Sequence, residues 1–378
     1  MSSPVLALHA DLVRIPSLSH QEAAAADYVE AAFRAVDGLE VGRLDHNVWA
    51  SLGDGDTSEG DGEANVLLLC SHLDVVPPSE DHPYPPFSPT RVDGAVYGRG
   101  AVDAKASGAA MVQALIDLAE SGWRPPKNGR LVVALTECEE TGAENNGMDK
   151  LRRRVFGDVL PDVSAALVGE PTELRPCLAQ KGLLILTATA TGETAHAARA
   201  HLGTNALLPA ARDLLALDAL SFDRDDPLLG RPTANATMIE GGTAKNVIPD
   251  RCMTTIDVRS TPAYTHGELT AIVRDALESR VSVHSERIVP CATSADAPVA
   301  RAVQSALLGL GLDADPFGSP TASDWIFLND VPTVKIGPGR SELSHTADEH
   351  VEVDQLERAV EVYAEIARRY FGEVGAGG

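Results

Sequence analysis

Short, unbroken apolar runs alternate with longer amphipathic stretches along the first half of this chain. Val66–Cys70 (Val-Leu-Leu-Leu-Cys), Leu131–Thr136 and Ala165–Val168 are continuous apolar runs, the pattern of strands buried on both faces of a parallel sheet. Between them, Lys105–Glu120 is rich in small residues and predicts a helix. Ala23–Val36 places Tyr28, Val29, Ala32 and Phe33 on one helical face, and Ser19-His20-Gln21-Glu22 before it has capping-box spacing. Asn47–Ser51 reads as a further strand, and the Asp/Gly/Ser-rich stretch Gly53–Gly62 as a surface loop. Strands alternating with helices predict an α/β sheet.

The middle of the chain has another rhythm. Leu183–Thr191 alternates as a half-buried strand does, Leu207–Leu217 is helical, Ala234–Glu240 and Cys252–Arg259 are strands, and Leu269–Ser279 is helical. A β-α-β-β-α-β order suggests a small α+β domain of ferredoxin-like type, with an antiparallel sheet and helices on one face. After Thr293 the pattern returns to helix, then strand (Thr333–Ile336), then a last helix from Val353 to Phe371. The economical reading is one α/β domain formed by residues 1–178 and 293–378, interrupted by an inserted domain over 179–292.

The chain has 378 residues, enough for two domains with cores of their own, and its 44% apolar content is that of a globular protein. No apolar run approaches the roughly 18 residues of a membrane span, and Met1-Ser2-Ser3-Pro4 does not open a secretory signal. Five cysteines, odd in number and without a Cys-x-x-Cys pair, point away from a disulfide framework and toward a reducing cytoplasm. Asp and Glu number 55 against 31 Lys and Arg, a formal charge of −24, so nucleic acid and anionic membranes are poor partners. Part of the acidic excess is scattered, as in Asp54–Glu63 and Asp223–Asp226.

The apolar runs end in chemistry. Val66–Cys70 leads to His72-Leu73-Asp74, Leu131–Thr136 to Glu137-Cys138-Glu139-Glu140, and Ala165–Val168 to Gly169-Glu170. In open α/β sheets, ligands bind beyond the carboxyl ends of the strands. Asp103 lies between the first two strings, in Gly98-Arg99-Gly100-Ala101-Val102-Asp103, and Ser344-His345-Thr346 lies far beyond them. Imidazoles with several carboxylates and no clustered thiols form a ligand set for zinc or a similar divalent ion engaged in hydrolysis.

These strings, with Ser71-His72-Leu73-Asp74-Val75-Val76-Pro77, Lys245-Asn246-Val247-Ile248-Pro249 and Ser344–Glu349, resemble the M20 family of metallopeptidases and amidohydrolases. Within it, the chain is most similar to the acetylornithine deacetylase and succinyl-diaminopimelate desuccinylase branch. The resemblance implies a zinc-peptidase-like catalytic α/β domain and an inserted lid or dimerisation domain. It also implies two Zn²⁺, with Co²⁺ or Mn²⁺ as alternatives. His72 and Glu170 would bind one metal, Glu140 and His345 the other, and Asp103, followed by a cis peptide, would bridge them. Asp74 would orient His72. Glu139 matches the general base, able to take a proton from water and return it to a leaving amine.

His196, in Gly192-Glu193-Thr194-Ala195-His196, matches a family histidine that stabilises the tetrahedral oxyanion, and in dimeric relatives it comes from the second subunit. Asn246 and Arg259 resemble groups that hold the substrate's α-carboxylate, and the guanidinium fork suits that role. Cys138 stands where this branch usually has Asp, and reads as packing. Ser319–Asp324 is expected to line the pocket. The expected activity is hydrolysis of an Nα-acyl amino acid by a cytoplasmic homodimer, with N-acetylornithine first. N-acetylcitrulline, succinyl-diaminopimelate or a peptide are the alternatives, and a non-catalytic, metal-dependent binding protein is the rival of a different class.

Overall fold

The computed structural model describes residues 3–53, 64–142 and 145–375. They group into two compact units. One comprises Met1–Leu178, Thr293–Phe317 and Ser323–Gly378, and the other Ala179–Ala292 with Gly318–Ala322.

The first unit is built on a mixed sheet. Its strands run in the order Glu40–Leu44, Asn47–Leu52, Gly129–Thr136, Asn65–His72, Ala165–Val168 and Thr333–Lys335. Asn65–His72 is parallel to both neighbours, with His72 opposite Thr136 and Cys70 opposite Val168. This register brings three strands to an end at one edge, so the segments that follow them start side by side. Every residue of Gly129–Thr136 and of Ala165–Val168 is buried, as the apolar runs Leu131–Leu135 and Ala165–Val168 require. The helix Lys105–Glu120 is buried over most of its surface, which accounts for its Ala and Gly content. Val353–Gly375 packs Leu356, Val362, Tyr363 and Ile366 into the same core.

One local expectation is corrected here. Ser19 does not cap the helix Ala23–Arg34, whose preceding residue Glu22 is itself helical in φ/ψ and makes no capping bond. Ser19 Oγ instead donates to Asp74 Oδ2 at 2.7 Å, and Glu22 Oε1 accepts from His20 N at 2.8 Å, because both side chains have buried partners to satisfy. An N-terminal helix, Pro4–Arg14, also precedes it. The Gly53–Gly62 loop and the acidic run Asp54–Glu63 lie outside the described residues, apart from Gly53.

In the second unit, Gly182–Thr191, Thr233–Gly241, Arg251–Ser260 and Arg280–Ile288 form an antiparallel sheet, with Gly182–Thr191 and Arg251–Ser260 central. With the helices Leu207–Asp218 and His266–Ala276 this is the β-α-β-β-α-β arrangement. The second helix begins and ends earlier than Leu269–Ser279. Thr265 and Glu268 form the capping box that starts it, and buried Asp213 takes the N–H groups of Glu278 and Ser279, which draws the chain out of the helix.

Candidate active site

The end of each central strand delivers a polar group to one place. His72 closes its strand, buried at 1% exposure. Its Nδ1 lies 2.9 Å from the carbonyl of Asp74, while the Asp74 carboxylate stands at 3.4 Å. The carbonyl therefore accepts from Nδ1–H and turns Nε2 toward the site, the ring orientation a metal ligand needs. Nε2 faces Asp103 Oδ1 at 3.2 Å and Glu170 Oε1 at 3.9 Å. The other oxygen of Asp103, Oδ2, lies 3.4 Å from His345 Nε2, which in turn lies 3.0 Å from Glu140 Oε1. The donors thus divide into His72 with Glu170 and His345 with Glu140, and Asp103 presents one oxygen to each pair. The peptide after Asp103 is cis.

Asp74 serves a wider purpose than orienting His72. Its carboxylate accepts from Glu139 N at 3.0 Å, Glu140 N at 3.1 Å and Ser19 Oγ. Two successive amides reach one carboxylate because Cys138, just before them, takes a positive φ of 56°. Cys138 is buried, its thiol 3.2 Å from His20 Nδ1 and 3.5 Å from Glu22 Oε1, so it packs beneath the turn and is not among the clustered donors. Gly169, just before Glu170, has no room for a side chain: a Cβ there would sit 2.7 Å from Met111 Cε and 2.8 Å from Ser107 Cβ.

The crowding shows in the proton affinities. Burial pushes Glu139 well above the usual carboxylate range, with His72 opposing and Glu170 adding to the shift. Burial and the Asp103 charge raise Glu170 to about 8, and burial raises Asp324 to about 6. Burial opposes protonation of His72, yet its bonds to Asp103 and Asp74 lift it well above its ordinary value. A pocket of buried carboxylates around two imidazoles is a site for cations. The donor set, nitrogen and oxygen without thiolate, fits zinc, cobalt or manganese.

Two positioning groups escaped the sequence reading. Glu349, at the end of the Ser344 string, is buried and accepts from the backbone N–H groups of Gly100, Val102 and Asp103 while pairing with buried Arg99. Its signal was a charged residue inside a motif read only for its histidine. Asp324, expected in the pocket lining, is buried close enough to His72 and Glu139 to act on their charge, and accepts from Asn146 Nδ2 at 2.6 Å and Thr136 Oγ1 at 3.0 Å. Asn146 and Thr136 are the neutral donors that satisfy its buried carboxylate.

The remaining sequence candidates belong to the second unit. His196 pairs with Val247 in a short two-stranded ladder, next to Asn246. It is exposed, and its Nδ1 accepts from Ala198 N at 3.1 Å, which leaves Nε2–H as a donor. Arg259 makes a two-bond ion pair with Asp257 on its own strand, at 2.9 and 3.2 Å.

Residues 68–369 match the model of the peptidase family M20/M25/M40. The chain belongs to this family. As a member it is a metal-dependent hydrolase of amide bonds. Among curated relatives, a putative succinyl-diaminopimelate desuccinylase DapE of Mycobacterium tuberculosis is 32% identical over 97% of each chain. A probable carboxypeptidase of Aspergillus terreus is 32% identical over 96% of this chain and 86% of its own. Among solved structures, the aminopeptidase PepT of Bacillus cereus superposes with a TM-score of 0.80 at 21% identity, covering 98% of this chain and 99% of its own. YXEP of Bacillus subtilis, described as a dinuclear metal binding peptidase from the M20 family, gives a TM-score of 0.71 at 17% identity and covers 96% of each chain. These structures share the M20 fold.

Proposed function

We propose that this M20 hydrolase cleaves the amide bond of an N-acyl amino acid, with residues 1–178 and 293–378 as its catalytic part and 179–292 as lid and dimerisation domain. The observation that carries the reading is the division of five donors into His72–Glu170 and His345–Glu140 around Asp103. These residues would hold two divalent cations, zinc first and Co²⁺ or Mn²⁺ as alternatives. Such cations lower the pKa of a water toward neutrality and polarise the amide carbonyl.

The chain's own groups do the rest. Glu139 takes the proton from the attacking water and passes it to the departing amine nitrogen. Glu140 cannot share that work, because its carboxylate faces His345 at 3.0 Å. Asp74, by holding both amides of the turn, sets the positions of Glu139 and Glu140. His196, with Nε2–H free to donate, is assigned to the oxyanion, and Asn246 and Arg259 to the substrate carboxylate.

The relatives' names weigh on the acyl group. Several relatives at 28–32% identity are named for desuccinylation of succinyl-diaminopimelate, which moves that substrate ahead of N-acetylornithine. A relative named probable carboxypeptidase favours, as a second reading, a peptide with a free C-terminus. The proposed setting is the cytoplasm, in line with five free cysteines, and the proposed assembly a homodimer. No helix among the described residues is long and apolar enough to cross a membrane.

Amine release from N-succinyl-diaminopimelate, N-acetylornithine, N-acetylcitrulline and a dipeptide set, by zinc-loaded enzyme beside a chelated control, tests this reading. Chelator-sensitive cleavage of an acyl amino acid is expected. Cleavage of peptides alone would replace the deacylase reading by the peptidase one.

A further inference from the structure

A second group of donors lies beside the Glu139–Glu140 turn, and the hydrolytic reaction has no use for it. Glu22 is fully buried. Its Oε1 accepts from the N–H groups of His20 and Cys138, at 2.8 and 3.1 Å, but its Oε2 is buried with no partner among the described residues. His46 Nδ1 is likewise buried and unpartnered. Glu137, at 3% exposure, accepts on Oε1 from Asn47 Nδ2 at 2.9 Å and Lys150 Nζ at 2.7 Å, whereas Oε2 has only a long 3.3 Å contact from His46 N. One donor atom from each of Glu22, His46 and Glu137 lies within 4.8 Å of the others.

Carboxylates outnumber the lysine around this cluster. Two carboxylates and Asp45, 3.5 Å from Lys150, stand against the single Lys150 ammonium. An unpartnered buried carboxylate oxygen and an unpartnered imidazole nitrogen are each unfavourable, and a shared ligand would satisfy both. A water would answer only the hydrogen-bonding deficit, and a proton on His46 is the competing way to balance the charge. A metal ion answers both, and one imidazole with two carboxylates is an ordinary first-row donor set.

We propose that Glu22, His46 and Glu137 bind a divalent cation of the zinc or manganese class, distinct from the His72–Asp103–His345 cluster. Through Glu22, which receives the Cys138 amide, this ion braces the turn that carries Glu139 and Glu140. Its role is structural.

The full-length enzyme, stripped with chelator, is reloaded with excess Zn²⁺ and, in parallel, Mn²⁺. Free metal is removed, and metal per chain is measured by elemental analysis for the parent, His46→Gln and Glu22→Gln. Because Glu22 is a core residue, His46→Gln is the primary variant, with folding checked by circular dichroism. The comparison is repeated in an Asp103→Ala background, so that the count does not depend on the catalytic cluster. One equivalent fewer in folded His46→Gln, in both backgrounds and with at least one of the metals, is the expected result. Equal metal content in parent and folded His46→Gln, for zinc and manganese alike, would overturn the proposal and leave the pocket to water.

Discussion

Asp103 can face two imidazoles at once because Glu349 fixes the backbone that carries it. The Glu349 carboxylate takes the amides of Gly100, Val102 and Asp103, and Arg99 balances its charge with both side chains about 98% or more buried. Glu349→Gln keeps the shape, removes the charge and strands a buried guanidinium. Breaking a buried pair in this way costs about 3–5 kcal/mol. Urea denaturation of the variant should show a loss of that order together with reduced metal retention, and a loss under about 1 kcal/mol would count against the role given to Glu349. The sequence already carried His72, Asp103, Glu140, Glu170 and His345, since each ends an apolar run or sits in an ordered motif. It did not carry Glu349, Asp324 or Glu22, because what makes them matter is burial against partners far along the chain, Glu349 from Arg99 by 250 residues.

At the scale of elements, strand ends were legible and helix starts less so. Continuous apolar runs have one physical solution, a strand covered on both faces; Ala165–Val168 kept its bounds, while Val66–Cys70 and Leu131–Thr136 lie within the longer strands Asn65–His72 and Gly129–Thr136. Capping signals are weaker because Ser and Glu serve other partners equally well. Ser19 bonds Asp74, while the working capping box, Thr265 with Glu268, lies outside the apolar periodicity. The helix Pro4–Arg14 docks on the Asp103 loop through His9, whose Nε2 lies 2.8 Å from the carbonyl of Ala101. Burial pushes His9 down from its ordinary value of 6.5 to about 4. Above pH 6.5 it is neutral folded and unfolded, and contributes nothing to pH dependence. Between 6.5 and 4 only the unfolded chain takes the proton, so stability falls as pH falls. The full effect is about 3 kcal/mol. Denaturation at pH 7, 5.5 and 4.5 should show this decline in the parent and a flatter one in His9→Gln, whose amide can still donate to Ala101. Parallel declines in the two proteins would remove His9 from the account.

For the whole molecule, the second unit leaves an edge open. Thr233–Gly241 is the outer strand of its sheet, and Met238 and Ile239 on it are 57% and 50% exposed. The adjacent helix Leu207–Asp218 exposes Leu208 and Leu215, at 58% and 72%. An unpaired edge beside an apolar helix face suits a second copy of the chain. Light scattering should give about twice the 39.8 kDa chain mass for the parent and a shift to one chain mass for Ile239→Glu, and a monomeric parent would remove the dimer from the proposal. The charge of −24 bears on solubility and partner choice and leaves the reaction untouched. The reaction rests on the assignment of one carboxylate as base and its neighbour as metal ligand. Glu139→Gln, assayed for amide hydrolysis and for zinc per chain on the same sample, tests that most directly. A fall in turnover of about 10²–10⁴-fold or more with zinc unchanged is expected, and a variant that keeps parental turnover, or loses zinc in step with activity, would contradict the assignment.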